Sequence, residues 1–357
     1  MAFEQFMGTR PVAPQHAFDE AALGRWLAAN VQGFAGTLKV EQFKGGQSNP
    51  TFLLDAGGRR YVMRRKPPGQ LLPSAHAVDR EFRVISALAR TGVPVAKAYA
   101  LCEDTSVIGA MFYIMDYVDG RVLWDPALPG MTPAQRRAHF DELGRVIAAL
   151  HSVDPTAIGL ADYGKPGNYI ERQVGRWTRQ YRAAETDHVE AVEHLIEWLP
   201  AHVPPGDETR IVHGDYRFDN VIFHATEPRI LAVLDWELST LGHPLVDFAY
   251  HCMAWHMAGG EGSRGLGGVD LQALGIPSES EYLQWYLQRT GRAAPSREDW
   301  IYFLVFGMFR LVGIVQGIKK RALQGNASSE QATQAGSRVR PLAEQAWALA
   351  QSLKKIA

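Results

Sequence analysis

Between residues 213 and 237 the chain reads His213-Gly214-Asp215-Tyr216-Arg217-Phe218-Asp219-Asn220 and then, fifteen positions after the asparagine, Asp235-Trp236-Glu237. An aspartate and an asparagine five apart, with a second aspartate closing the next apolar run, are the residue types that phosphoryl transfer requires. One carboxylate accepts the proton of an attacking hydroxyl. An amide oxygen and another carboxylate hold magnesium against nucleotide phosphates. On this reading Asp215 is the catalytic base, and Asn220 and Asp235 are the metal ligands. Each fragment alone is ordinary turn composition, because Asp, Asn and Gly collect at strand ends. The combination at this spacing carries the chemical meaning.

These side chains meet only if the chain between them folds back. Arg210 to Val212 lead into the segment, Val221-Ile222-Phe223 predicts a short strand, 224–228 a turn, and 229–234 a returning β-rich strand. Such a hairpin puts Asn220 and Asp235 at one end. Upstream, Val40–Phe43 and Thr51–Asp55 read as strands joined by Lys44-Gly45-Gly46-Gln47-Ser48-Asn49. Backbone N–H groups of a glycine-rich turn can approach phosphate oxygens without Cβ obstruction, although an ordinary hairpin turn looks the same. After Ala56-Gly57-Gly58 a further strand is expected at Tyr61–Arg64, and another at Met111–Met115, ending in Asp116-Tyr117-Val118-Asp119-Gly120. Val78, Phe82, Ile85 and Leu88 have helical spacing, with Glu81 on the same helix.

The carboxy-terminal half reads as mostly helical. Thr132 is a good N-cap before Pro133, and Phe140, Leu143, Ile147 and Leu150 continue at helical spacing. A helix from Tyr169 carries Ile170, Val174, Trp177 and Tyr181 on one face and Arg172, Arg176 and Arg179 on the other. A solvated basic face is the plain reading of those arginines. The sharper one is a wall for an anionic acceptor.

The segment HGDYRFDN resembles the catalytic loop of the aminoglycoside phosphotransferase and choline kinase-like superfamily, small-molecule relatives of the protein kinases. The resemblance runs from about Phe34 to the last apolar helix. RRKPPGQLLPSAHAVDREFRV, HGDYRFDN and LDWELSTLGHPLVDFAYH look most like a narrower subgroup, which includes the kinase-like domains joined to acyl-CoA dehydrogenases. The resemblance implies an α+β, protein kinase-like bilobal fold. Residues 1–117 would form a nucleotide-binding lobe with an antiparallel β-sheet, and 118–357 a mostly α-helical catalytic and substrate lobe. It also implies magnesium-dependent transfer of the γ-phosphoryl group of ATP to the hydroxyl of a small molecule. Gly45, Gly46, Gln47, Ser48 and Asn49 would approach the phosphates, and backbone near Asp116 and Val118 would meet the adenine edge. Family members carry a lysine, paired with a helix glutamate, where this chain has Arg64 and Glu81. Arginine keeps the charge and can pair bidentately, but it is longer and planar. Arg217 is the candidate contact for the transferred phosphate or an anionic acceptor, and Glu237 and Asp247 are supporting or loop-bracing carboxylates. A hydroxy acid or hydroxyacyl-CoA is the implied acceptor. An aminoglycoside or choline-like acceptor is the enzymatic alternative, and a nucleotide-binding pseudokinase the non-catalytic one.

Composition narrows the partners. A chain of 357 residues with 46% hydrophobic content can bury a sizeable core, as two lobes need. A net charge of −1 provides no field for nucleic acid or an anionic membrane, and the chain is not acidic enough to attract polycationic aminoglycosides. Cys102 and Cys252 cannot build a disulfide framework. No amino-terminal stretch has the layout of a signal peptide, so a cytoplasmic protein is expected. The apolar run from Ile301 to Ile318 is interrupted by Arg310 and three glycines, which predicts a buried helix rather than a membrane span. Three motif matches are decoys. Gly159 to Lys165 has phosphate-loop spacing but ends in Pro166, where a hydroxyl is needed. Gly260 to Gly265 lacks a βαβ context and reads as an inter-helix loop. His251 with His256 is structural rather than zinc-binding.

Overall fold

The computed structural model describes residues 7–45, 49–67, 77–260, 263–324 and 336–353. Six strands form one antiparallel sheet: β1 (Thr9–Arg10), β2 (Leu38–Phe43), β3 (Thr51–Ala56), β4 (Arg59–Arg65), β5 (Ala98–Cys102) and β6 (Phe112–Asp116), in the order β1-β2-β3-β4-β6-β5. Two helices flank it, α1 (Glu20–Asn30) and α2 (Val78–Leu88). Side chains of a strand alternate between faces, and β4 shows the consequence. Tyr61 and Met63 pack with Leu23 and Leu27 of α1, whereas Val62 joins the core that contains Val84, Ile85 and Leu88 of α2. Arg64 therefore faces α2 and the second lobe, and Arg65 faces α1.

The second lobe is built from α3 (Pro133–Ser152), α4 (Tyr169–Ala184), α5 (Glu190–Ala201), α6 (Pro244–Cys252), α7 (Leu271–Leu274), α8 (Glu279–Thr290), α9 (Arg297–Leu323) and α10 (Val339–Gln351). Two small hairpins lie among them: β7 (Arg210–Val212) with β10 (Thr240–Gly242), and β8 (Val221–Phe223) with β9 (Ile230–Val233). Thr132 caps α3 in a capping box with Gln135, and Phe140, Leu143, Ile147 and Leu150 are buried. The α9 helix is long and apolar enough to cross a membrane, yet 78% of its most apolar window is buried against α4, α6 and α10. It is a core helix. The fold is thus the antiparallel sheet plus helical lobe that the sequence implied.

Three elements of the sheet lobe lie outside the sequence reading: β1, α1 and β5. Only Leu23 and Leu27 of α1 are fully buried, so its apolar stripe is narrow. The β5 strand is short, lies at a sheet edge and carries a register shift between Ala98 and Ala100, which blurs its alternation.

Backbone contacts tie the segment after β6 and the turn before β5 to the β8–β9 hairpin. Arg121 and Phe223 exchange N–H···O bonds of 2.7 and 2.8 Å, and Val233 N–H donates to Pro94 at 2.9 Å. Gly120 fits there because a Cβ would stand 2.3 Å from the Phe223 carbonyl oxygen.

Candidate active site

The loop from His213 to Asn220 is held from beneath by one carboxylate. Asp247 of α6 accepts the amides of His213 at 2.7 Å and Gly214 at 2.8 Å, one on each oxygen. It also lies 3.2 Å from His151 Nε2, while His151 Nδ1 sits 2.8 Å from the Tyr286 hydroxyl. Burial works to raise the Asp247 pKa, but the bonds from His151 and the loop hold it below its usual value. Of the two roles open to Asp247, the structure shows the loop brace. Arg310 of α9 donates to the Gly214 carbonyl at 2.5 Å. Gly214 itself has φ 86°, in the left-handed region that glycine adopts freely. His213 Nδ1 accepts the Asp215 amide at 3.1 Å and Nε2 lies 2.8 Å from the Leu234 carbonyl, so the ring bridges both halves of the site.

On this platform Asp215, Arg217, Asn220 and Asp235 come together. Asn220 Nδ2 donates to the Asp215 carbonyl at 2.8 Å and to its carboxylate at 3.0 Å. With its NH₂ so engaged, the Asn220 side-chain oxygen is the end left to meet a cation. The pairing of Val221 with Val233 and the 2.8 Å bond from Leu234 N–H to the Asn220 carbonyl put Asp235 at the same end of the hairpin. Asp235 has φ 63°, a left-handed conformation that aspartate tolerates better than most residues, and its side chain is 34% exposed. An amide oxygen and a half-open carboxylate are hard oxygen donors of the kind magnesium takes. Arg217 Nη2 donates to Asp215 at 2.9 Å and its Nε is 3.5 Å from Asp219. Burial opposes the Arg217 charge, but Asp215 and Asp219 outweigh it and raise its pKa.

Above this end stands Arg64. Its Nε is 3.1 Å from Glu81 and its Nη2 3.0 Å from Asp235, so one buried guanidinium ties α2 to the carboxylate at the hairpin end. Glu81 also accepts Asn49 Nδ2 at 2.7 Å and the Tyr113 hydroxyl at 3.1 Å. Burial pushes the Glu81 carboxyl up, and Asp235 adds to that, while Arg64, Tyr113 and Asn49 pull it down. Arg65 instead donates to the His16 carbonyl at 3.1 Å and lies over Phe18 and Phe52, and Lys66 pairs with Asp79 at 3.7 Å.

The remaining candidates are placed less centrally. Asn49 is buried and its side chain donates to Glu81; Gly45 follows β2, and Gly46, Gln47 and Ser48 lie outside the described residues. The Asp116 N–H already donates to the Lys97 carbonyl at 2.9 Å, and its carboxylate accepts from the Tyr99 hydroxyl. Val118 is half-buried where the sheet gives way to the helical lobe. The α4 arginines do not wall an acceptor chamber. Arg172 donates to the Lys165 carbonyl at 2.5 Å, Arg176 lies over Trp177, and Arg179 lines a groove of about 390 Å³ against Pro200 and Val203. Helical periodicity turns Trp177 and Tyr181 into the lobe and so turns the arginines out of it.

The chamber that Arg217 and Asp219 line is a different one, about 110 Å³, and its arginines are Arg217, Arg264 and Arg338. Arg264 Nη2 is 2.9 Å from the buried Asp219. Asp219, Arg264, Arg310 and His151 were all missed by sequence reasoning. Arg264 sits in the glycine-rich loop set aside as a decoy, and no spacing links it to residue 219.

An antiparallel sheet set over a helical lobe, with carboxylates gathered where they meet, is the protein kinase-like class of fold. Residues 39–282 match the model of the phosphotransferase enzyme family. A Ralstonia eutropha protein, provisionally named an aminoglycoside phosphotransferase, has a crystal structure that superposes with TM-score 0.87 at 58% identity, covering 94% of this chain and 99% of that one. The Mus musculus protein named acyl-CoA dehydrogenase family member 10 is 46% identical over 345 residues, 95% of this chain. This chain spans 32% of that relative's length. A spectinomycin phosphotransferase solved with ADP and spectinomycin shares the fold, with TM-score 0.60 and 12% identity over 94% of this chain and 99% of that one. The chain belongs to the phosphotransferase enzyme family.

Proposed function

We propose that the chain transfers the γ-phosphoryl group of ATP to a hydroxyl of a hydroxy acid or hydroxyacyl-CoA, in a magnesium-dependent reaction. The observation that carries this reading is the Asp215 carboxylate, bonded to Asn220 at 3.0 Å on a loop that ends beside Asp235. Residues 1–117 bind the nucleotide and 118–357 the acceptor. Gly45, Gly46, Gln47, Ser48 and Asn49 would contact the phosphates, and the Asp116 to Val118 segment would border the adenine. Magnesium, when bound to Asn220 and Asp235, neutralises charge on the nucleotide phosphates.

Asp215 orients the acceptor hydroxyl and takes its proton as the oxygen bonds to the γ-phosphorus. The bond from that phosphorus to the bridging oxygen breaks, and ADP leaves with the electron pair. Arg217 holds Asp215 in place and offers its charge to the transferred group. Arg64 keeps Glu81 and Asp235 in register with the nucleotide. A pseudokinase would have no use for this complete set. The cytoplasm, which supplies ATP, is the compartment this reading expects.

Screening ADP release with hydroxy acids, hydroxyacyl-CoAs, choline and aminoglycosides side by side tests the proposal. Asp215→Asn should lower turnover with the best acceptor by roughly a hundredfold or more, as loss of a general base does. Calorimetric Mg–ATP binding should survive. Near-native turnover in that variant would sink the assignment.

A further inference from the structure

We infer that Arg217, Arg264 and Arg338 form an anion-binding wall beside the catalytic loop, and that the acceptor carries its acidic group there on a short aliphatic body. The inference rests on the phosphotransfer reading and adds the acceptor's chemistry to it. The chamber of about 110 Å³ has two unlike sides. One is predominantly basic, made by the three arginines with Asp219 among them. The other is apolar and includes Trp124, Met253, Met257 and Leu311.

The charges on the basic side do not cancel. Arg217 is shared between Asp215 at 2.9 Å and Asp219 at 3.5 Å, and Arg264 leans on the same Asp219 at 2.9 Å. Arg338 makes no ion pair among the described residues, so three guanidiniums share two carboxylates. The crowding registers on Arg264, whose pKa is lowered first by burial and then by Arg217, with Arg338 adding to it. An incoming anion relieves this excess, and a guanidinium fork suits a carboxylate or a phosphate equally. A polyamine or a quaternary ammonium meets like charge instead.

The position of the wall sets the order of groups along the acceptor. Arg217 touches Asp215, so an anion seated on Arg264 and Arg338 leaves the far end of the molecule at Asp215, where the hydroxyl must be. The carbons between lie along Trp124, Met257 and Leu311. Asp219 serves as the positioning residue, since its two oxygens fix Arg217 and Arg264 together.

The test uses the full chain with ATP and magnesium, and a series of unbranched hydroxyalkanoates, their methyl esters, hydroxyalkyl phosphates and amino alcohols. Acids or phosphates should exceed esters and amino alcohols in kcat/KM by roughly tenfold or more, the worth of one charge-assisted hydrogen bond. The two anionic arms show which group the wall takes. Arg264→Gln and Arg338→Gln should raise KM for the anionic acceptor by a similar factor, with KM for ATP unmoved, and Arg264→Lys should recover part of it. Esters or amino alcohols matching the anions, or glutamine variants with unchanged acceptor KM, would overturn the inference and leave phosphotransfer standing. Calorimetric binding of a hydroxyalkanoate, weakened by Arg264→Gln but with no turnover for any acceptor, would overturn the phosphotransfer reading and leave the wall standing. Neither binding nor turnover would remove the wall as well.

Discussion

Arg64 shows how one side chain can set the geometry of a site. It stands near the end of β4, and its planar fork reaches two carboxylates at once, Glu81 at 3.1 Å and Asp235 at 3.0 Å. An ammonium is a point charge and cannot span both with the same directionality. Arg64→Ala should therefore lower turnover by roughly a hundredfold, the size of losing one preorganised charge at the reacting phosphate. Arg64→Lys should keep a measurable part of the rate, read as ADP release. An undiminished alanine variant would mean that the first lobe works without this pair. Asp235 allows a second, separate test. Asp235→Asn keeps a residue that accepts φ 63° but removes the carboxylate. It should weaken Mg–ATP binding far more than metal-free ATP binding in paired calorimetric titrations. Equal losses would make Asp235 a structural residue.

Between elements, the decisive contact is the one from α6 to the catalytic loop. Asp247 is 4% exposed and receives two loop amides and a histidine, so its two oxygens fix the backbone on which Asp215 rides. Asparagine at this position has one acceptor oxygen and would turn its NH₂ toward a buried N–H. Asp247→Asn should cost about 1–3 kcal/mol of stability, the usual penalty for an unsatisfied buried group. The same variant should lower kcat more than it moves KM for ATP, because the loop amides that Asp247 holds flank Asp215. Denaturant titration together with steady-state kinetics measures both, and an unchanged midpoint would show that α6 does not brace the loop.

For the molecule as a whole, pH acts through histidines sealed in the helical lobe. Burial holds His243 and His251 at a pKa of about 4, against 6.5 in an open chain. Other charges modify the burial effect: Glu208, Asp207, Arg292 and His151 around His243, and the Tyr216 carbonyl and Asp247 around His251. Between those two values the unfolded chain binds more protons than the folded one. Stability from these residues is thus complete above pH 6.5 and is lost as pH falls toward 4, with a limiting slope of about 1.4 kcal/mol per unit for each histidine. Urea midpoints on either side of pH 6.5 should show this fall, and His243→Gln should flatten it. A midpoint indifferent to pH across the window would contradict the burial of both rings.

Local rules were enough for much of this protein. Short apolar runs bounded by glycine-bearing turns located β3, β4 and β6; helical spacing and an N-cap located α3; and the turn between β8 and β9 put Asn220 beside Asp235. These are interactions among near neighbours in the chain, so their signal lies in a short window. Alternation also decides that Arg64 and Arg65 point to opposite faces, but only the packing of α1 on one face and α2 on the other shows which arginine meets Glu81. The α4 arginines illustrate the limit. Periodicity correctly put them on one face, yet which neighbour that face meets is settled by α9 covering the opposite side. Asp247 on the loop amides, Arg310 on Gly214, and Arg264 on Asp219 join residues separated by 33 to 96 positions or by a glycine-rich loop without periodicity. Such contacts arise when helices stack and bury charges that must then find partners, and only the tertiary fold decides which partners are within reach.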